Sequence, residues 1–122
     1  MDFTDQRAIY LQIAAMIYDR ILSGVWKPTD RIPSVRELSV MLEVNPNTTM
    51  RTYQLLENMN IITLKRGTGF FLTNEAYNNV FSVLKNEYQM EHLPSLFRRI
   101  SLLKITPLEL SRMYEEYLKN SA

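Results

Sequence analysis

Two helix-start signals stand close together near the middle of the chain, at Ser34 and at Asn45, and their proximity limits the fold more than any other feature. Ser34 and Glu37 have the spacing of a capping box, in which each side chain satisfies a free backbone N–H of the first helical turn. The short helix that follows puts Leu38, Met41 and Leu42 on one apolar face and runs out near Glu43 and Val44. Asn45 then reads as an N-cap, with Pro46 at the first helical position, where a missing N–H costs nothing. Two short helices joined by so tight a turn form a helix-turn-helix, the arrangement that lets the second helix project its N-terminal turn into a major groove.

The flanking sequence completes that unit. Ile9, Ile13, Met16, Ile17 and Ile21 fall on one helical face, and Gly24 supplies the stop. Val25 to Arg31 reads as a loop whose Trp26 packs on the core. The second helix of the pair carries a buried stripe of Tyr53, Leu56 and Met59 and ends at Asn60. Ile61 to Lys65 and Phe70 to Thr73, rich in β-branched and aromatic residues, flank the turn Arg66-Gly67-Thr68-Gly69, which predicts a hairpin with a basic tip. A hairpin directly after a helix-turn-helix is a wing.

From Asn74 onward the pattern is helical only. Tyr77, Val80, Phe81, Leu84 and Tyr88 form one stripe. Leu93, Leu96, Phe97, Ile100 and Leu103 form another after a break near Pro94. Thr106 and Glu109 repeat the capping-box spacing ahead of a last helix with Leu110, Met113, Tyr114 and Tyr117. So short a piece carries more apolar face than it can cover alone, and a second copy is the simplest cover. The expected fold is mostly α with a small β-hairpin: a winged helix-turn-helix over residues 1–73 and a C-terminal helical dimerisation tail over 74–122.

Composition excludes several function classes. Cysteine is absent and His92 is the single histidine, which removes thiol catalysis, disulfide scaffolds and cysteine or multi-histidine zinc sites. No Ser-His-Asp set and no phosphate-cradling glycine loop is apparent, so no enzyme, cofactor or metal is expected. His92, beside Leu93 and Pro94, has no acidic partner at a fixed ligand spacing. The polar start, Met1 to Arg7, and the lack of a long apolar run give neither export signal nor membrane span, so a cytoplasmic protein is expected. A formal net charge of +1 argues neither way about nucleic acid, although residues 31–73 hold a small basic excess.

Taken together, Ile9-Tyr10-Leu11-Gln12-Ile13, Ile32-Pro33-Ser34-Val35-Arg36-Glu37-Leu38, Val44-Asn45-Pro46-Asn47-Thr48 and Lys65-Arg66-Gly67-Thr68-Gly69 resemble the N-terminal domain of GntR-type bacterial regulators, over about residues 5–73. The Val-Asn-Pro-Asn-Thr turn and the short helical tail resemble the YtrA-like branch in particular. The resemblance implies a homodimer that binds double-stranded DNA at an inverted-repeat operator and regulates transcription, as a repressor of a nearby, transporter-type operon. It departs from the family at Thr29, where glycine usually follows the proline, and at Met50, where many relatives have arginine and this chain has Arg51 next along.

The candidate DNA contacts are Arg36, Asn45, Asn47, Thr48, Arg51, Lys65, Arg66 and Gly67. Asn47 and Thr48 sit where short polar side chains and exposed N–H groups meet a phosphate or a base edge, and Arg51 can offer two parallel donors to guanine. The alternatives are a solvated helix charge at Arg36, a purely capping Asn45, a phosphate contact at Arg51, and a wing whose Lys65 and Arg66 only keep a hairpin edge soluble. Tyr77, Phe81, Leu84, Tyr88, Leu96 and Phe97 are the candidate dimer core, with an effector pocket for a small molecule of undetermined identity as the other use of the tail aromatics. The rival function is a protein-interaction module on a winged-helix scaffold, which needs an apolar recognition face.

Overall fold

The computed structural model describes residues 7–121, so the polar start read above lies outside the described residues except for Arg7. The chain runs α1 (Ile9–Leu22), α2 (Val35–Leu42), α3 (Pro46–Asn58), β1 (Ile62–Lys65), β2 (Gly69–Leu72), α4 (Ala76–Glu87), a π-helical segment (Tyr88–His92), α5 (Leu93–Leu102) and α6 (Pro107–Asn120). Contacts divide it into two compact units, one ending at Val83 and one beginning at Leu84. The division falls inside α4, ten residues beyond the boundary at Thr73 that the change of pattern suggested. Ala76 and Val80 are fully buried, and the Asn79 amide donates to the carbonyls of Met59 and Asn60, so the first turns of α4 complete the N-terminal core and close the end of α3.

That core is made of Ile13, Ile17 and Ile21 from α1, Leu38 and Leu42 from α2, Tyr53 and Leu56 from α3, and Ile32, Ile61, Ile62 and Leu72 around the hairpin. Tyr53 lies edge-on to Phe70 with ring centroids 5.0 Å apart, and its hydroxyl donates to the Pro33 carbonyl. Burial, and next to it the Glu37 carboxylate, push the Tyr53 phenol well above its ordinary range, so it is a structural donor. Met41, counted above on the apolar face of α2, is 59% exposed, and Ile9 is also exposed. In a helix of eight residues only one narrow stripe reaches the core, and the place beside Leu38 and Leu42 is taken by the buried Ser39.

β1 and β2 pair antiparallel, with Ile62 opposite Leu72 and Lys65 opposite Gly69. β2 has a second neighbour that the sequence pattern did not reveal. The Ile32 N–H donates to the Phe70 carbonyl at 2.9 Å and the Leu72 N–H to the Asp30 carbonyl at 2.9 Å, with Arg31 bridging Phe71. The wing is thus rooted through β2 to the segment leading into α2.

Thr29 sits at φ 67°, left-handed backbone that a β-branched residue adopts only under strain. This is the position where the family resemblance noted above leads one to expect glycine, and threonine is the costlier residue for such backbone. The Thr29→Gly variant is expected to gain about 0.5–1 kcal/mol, the left-handed penalty of about 1–2 kcal/mol outweighing the extra unfolded-state entropy of glycine. Urea unfolding at matched protein concentration reads this directly, and a lower midpoint than the parent would show that Thr29 is held without strain.

In the C-terminal unit no residue of the π segment, α5 or α6 is buried. The break expected near Pro94 is absent: α4, the π segment and α5 follow one another with no loop between them. Pro94 has no N–H for a carbonyl four residues back and its ring crowds that carbonyl, and a widened turn just before it relieves the crowding without ending the helix. Lys104, at φ 58°, then turns the chain, and the Thr106–Glu109 capping box opens α6 as its spacing predicts.

Candidate nucleic-acid interface

Both sequence-local start signals fold as their chemistry requires. The Ser34 hydroxyl accepts from the Glu37 N–H at 3.0 Å while the Glu37 carboxylate accepts from the Ser34 N–H at 3.2 Å. Those hydrogen bonds from Ser34, backbone first, and then the charge of Arg31 hold the Glu37 carboxyl below its ordinary range. The Asn45 side chain accepts from the Asn47 N–H at 2.8 Å, and Pro46 occupies the first turn of α3. Between the helices Glu43 takes left-handed backbone at φ 55°, and the Val44 N–H returns to the Ser39 carbonyl at 3.0 Å, so the connection is one tight, hydrogen-bonded turn.

A buried polar pair ties α2 to α3. Ser39 Oγ lies 2.8 Å from Thr49 Oγ1 and 2.6 Å from the Val35 carbonyl oxygen. A serine hydroxyl has one proton, which the carbonyl takes, so Thr49 donates to Ser39. Neither residue is legible in the sequence as core, because small hydroxyl residues look like surface until a partner across the turn satisfies them. Ser39→Ala is expected to cost about 1–3 kcal/mol by leaving the fully buried Thr49 hydroxyl without that acceptor, and Thr49→Val a comparable amount. The double variant should fall short of the sum of the singles. A double-mutant cycle by denaturant unfolding checks this; strictly additive losses would mean that the two hydroxyls act independently.

With this frame fixed, the outward side of α3 is polar at its start. Asn47 and Arg51 are exposed, Thr48 is half-buried, and Arg36 is exposed in the first turn of α2. The Arg51 guanidinium lies over the Tyr10 ring of α1, 3.8 Å from its centroid. Thr52, buried beside it, donates to the Tyr10 carbonyl at 2.8 Å. At the wing, Lys65 and Arg66 are exposed and Gly67 has φ 76°, a conformation that suits glycine at the tip. The Lys65 ammonium lies 4.5 Å from the Phe71 ring centroid, over the strand that follows.

Arg31, which the sequence marks only as the end of the loop from Val25, has a definite place here. Its Nε donates to the Thr68 carbonyl at 2.9 Å, and a Cβ on Gly69 would come within 3.0 Å of that nitrogen. Glycine at 69 therefore makes room for an arginine that braces the wing turn. Nothing in sequence spacing alone could pair residues so far apart in the chain.

The candidate dimer residues Tyr77, Phe81, Tyr88, Leu96 and Phe97 are all exposed within one chain, and Leu84 is half-buried. Tyr77 and Phe81 stack with centroids 5.9 Å apart. His92, read above as having no acidic partner at a fixed ligand spacing, is placed 3.5 Å from Glu87, and potential ligand atoms of Glu87, Glu91 and His92 lie within 4.8 Å of one another. The π segment brings this about, since a widened turn puts residues five apart on one face. All three side chains are exposed, as acidic groups near a histidine commonly are without any ion. No helix among the described residues is long and apolar enough to cross a membrane.

A helix-turn-helix followed by a braced hairpin with a basic tip defines the winged-helix class of DNA-binding regulators. Residues 9–72 match the family of bacterial regulatory proteins named gntR. The chain is 35% identical over 108 residues to the HTH-type transcriptional regulator YhcF of Bacillus subtilis, covering 88% of each. It is 41% identical over 68 residues to the HTH-type transcriptional repressor YtrA of the same organism, covering 56% of this chain and 52% of YtrA. A GntR family transcriptional regulator from Listeria monocytogenes has a similar structure, with a TM-score of 0.74 at 33% identity over 93% of this chain and 98% of that one. The chain belongs to the GntR family: it is a DNA-binding transcriptional regulator of the winged helix-turn-helix type, and not an enzyme.

Proposed function

We propose that the protein is a homodimeric repressor, acting in the cytoplasm on an inverted-repeat operator that its two recognition helices read together. The observation that carries the reading is the start of α3, where exposed Asn47 and Arg51 flank Thr48 beyond a cap that uses the Asn45 side chain. Asn47 and Thr48 meet a phosphate or base edge at that helix N-terminus, Arg51 gives two donors to guanine, and Arg36 holds the backbone. Lys65, Arg66 and Gly67 carry the wing to the backbone or minor groove. The N-terminal unit, nominally residues 1–73 with the first turns of α4 packed on it, is the reading head. The tail, nominally residues 74–122, pairs two copies through Leu84, Tyr88, Leu96 and Phe97, with Tyr77 and Phe81 at its start. Repression is favoured by the likeness to YtrA, which is a repressor. A small-molecule effector would bind among the tail aromatics.

Selection of bound sequences from a random DNA pool tests the reading. The expected consensus has dyad symmetry, with half-site centres about one helical turn apart or a multiple of it. Titration of that site at low and raised salt should show the steep weakening that phosphate contacts produce. A consensus without dyad symmetry would remove the dimeric reading, and salt-independent binding would remove the phosphate grip.

A further inference from the structure

The Tyr10 ring and Arg51 form a contact between α1 and the recognition helix that sequence spacing does not announce. The guanidinium carbon stands 3.8 Å from the ring centroid, and the Thr52 hydroxyl, next along α3, donates to the Tyr10 carbonyl at 2.8 Å. Buried Thr52 thus fixes the backbone of Tyr10 against α3, and the ring of Tyr10 in turn provides a face for Arg51. Both residues remain open to solvent, Arg51 exposed and Tyr10 half-buried, so the contact lies at the surface from which α3 projects its first turns.

A planar guanidinium that stacks on an aromatic face keeps its N–H donors in its own plane, directed past the edge of the ring. Stacking and bidentate hydrogen bonding to a base edge therefore use different parts of the group and are compatible. An arginine free in solution has many rotamers, and holding it in one of them beforehand removes part of the ordering cost of binding. We propose that Tyr10 is a positioning residue for base recognition: its ring sets the Arg51 fork in the orientation in which it meets guanine. This rests on the reading of Arg51 as a base contact. Arg51 gives the donors; Tyr10 sets how sharply they discriminate.

The test uses the full chain and the selected operator with a panel of single-base variants. Tyr10→Leu is expected to lose about two- to five-fold of the discrimination at the one base pair that Arg51→Ala relaxes, the range a solvent-exposed cation–π contact supports. Tyr10→Phe, which keeps the ring, should discriminate like the parent, and Tyr10→Leu in the Arg51→Ala background should add nothing at that base pair. The Arg51 Cδ protons should show an upfield ring-current shift in the parent and in Tyr10→Phe that is lost in Tyr10→Leu. Tyr10→Met, which keeps apolar bulk without a ring face, replaces Tyr10→Leu if the latter unfolds below the assay temperature. If Arg51→Ala relaxes one base pair while Tyr10→Leu weakens every variant alike, Tyr10 only packs α1 on α3 and the proposal is overturned. If Arg51→Ala relaxes no base pair, the base-contact reading itself fails, and the proposal falls with it for that separate reason.

Discussion

Glutamate in place of Phe97 is expected to give a monomer that binds its operator about 10²–10⁴-fold more weakly than the parent, because tethering two reading heads makes the second half-site contact intramolecular. Phe97 is 51% exposed and Leu96 49% exposed in the single chain, and no side chain of α5 or α6 is buried by its own unit. A charge placed there has no cost in an isolated chain and a large one inside a closed apolar interface, where an unpaired carboxylate cannot be hydrated. Leu84→Glu, on α4, is expected to act the same way. The N-terminal core should survive both, since the α4 residues it draws on, Ala76, Asn79 and Val80, are left in place. Light scattering at micromolar concentration gives the oligomeric state and titration on a two-half-site duplex gives the affinity. A monomeric parent, or a Phe97→Glu protein that remains dimeric, would remove the tail from this role.

How far the sequence could be read follows from where each interaction is encoded. The cap at Ser34, the cap at Asn45 and the capping box at Thr106 each join residues two or three positions apart, and all three helices begin where those signals stand. The register of the wing is equally local, since two short strands flank one turn. What escaped sequence reading depends on partners brought together only by folding. Ser39, Thr49 and Thr52 are buried hydroxyl residues whose bonds go to one another, to a carbonyl one turn back, or across to α1. Met41 looked like core by spacing and lies outside because Ser39 has the inner place. The pairing of Asp30 to Ile32 with β2, and the brace from Arg31 to Thr68, join segments that no local rule connects.

The π segment shows the same limit in the helical tail. Pro94 is ordinarily a sign that a helix stops, and spacing alone offers no means of choosing between a stop and a widened turn. The choice moves His92 from an isolated position to one beside Glu87. It also moves every tail residue after it around the helix relative to those before it. A stripe counted through Tyr88 with the ordinary helical period therefore does not continue unchanged into α5.

Reading and gripping should separate cleanly between Arg51 and Arg66. The Arg51 guanidinium of α3 lies over the Tyr10 ring, and in the proposed reading it meets a base edge, where a bidentate pair is worth roughly 1–3 kcal/mol of discrimination. Arg66 is at the wing tip beside Gly67, whose φ of 76° sets the turn, and in the proposed reading its charge meets phosphates whatever the sequence. Arg51→Ala is accordingly expected to relax preference at one position of each half-site and leave the others intact. Arg66→Ala should weaken all operator variants by a similar factor and make the salt dependence shallower by about one ion per wing. Fold stability should barely change in either variant, as both side chains are exposed. Binding profiles over the single-base panel, taken at two salt concentrations, decide between the roles: an Arg51→Ala protein that loses affinity equally for every variant would make Arg51 a phosphate contact and leave base reading to Asn47 and Thr48.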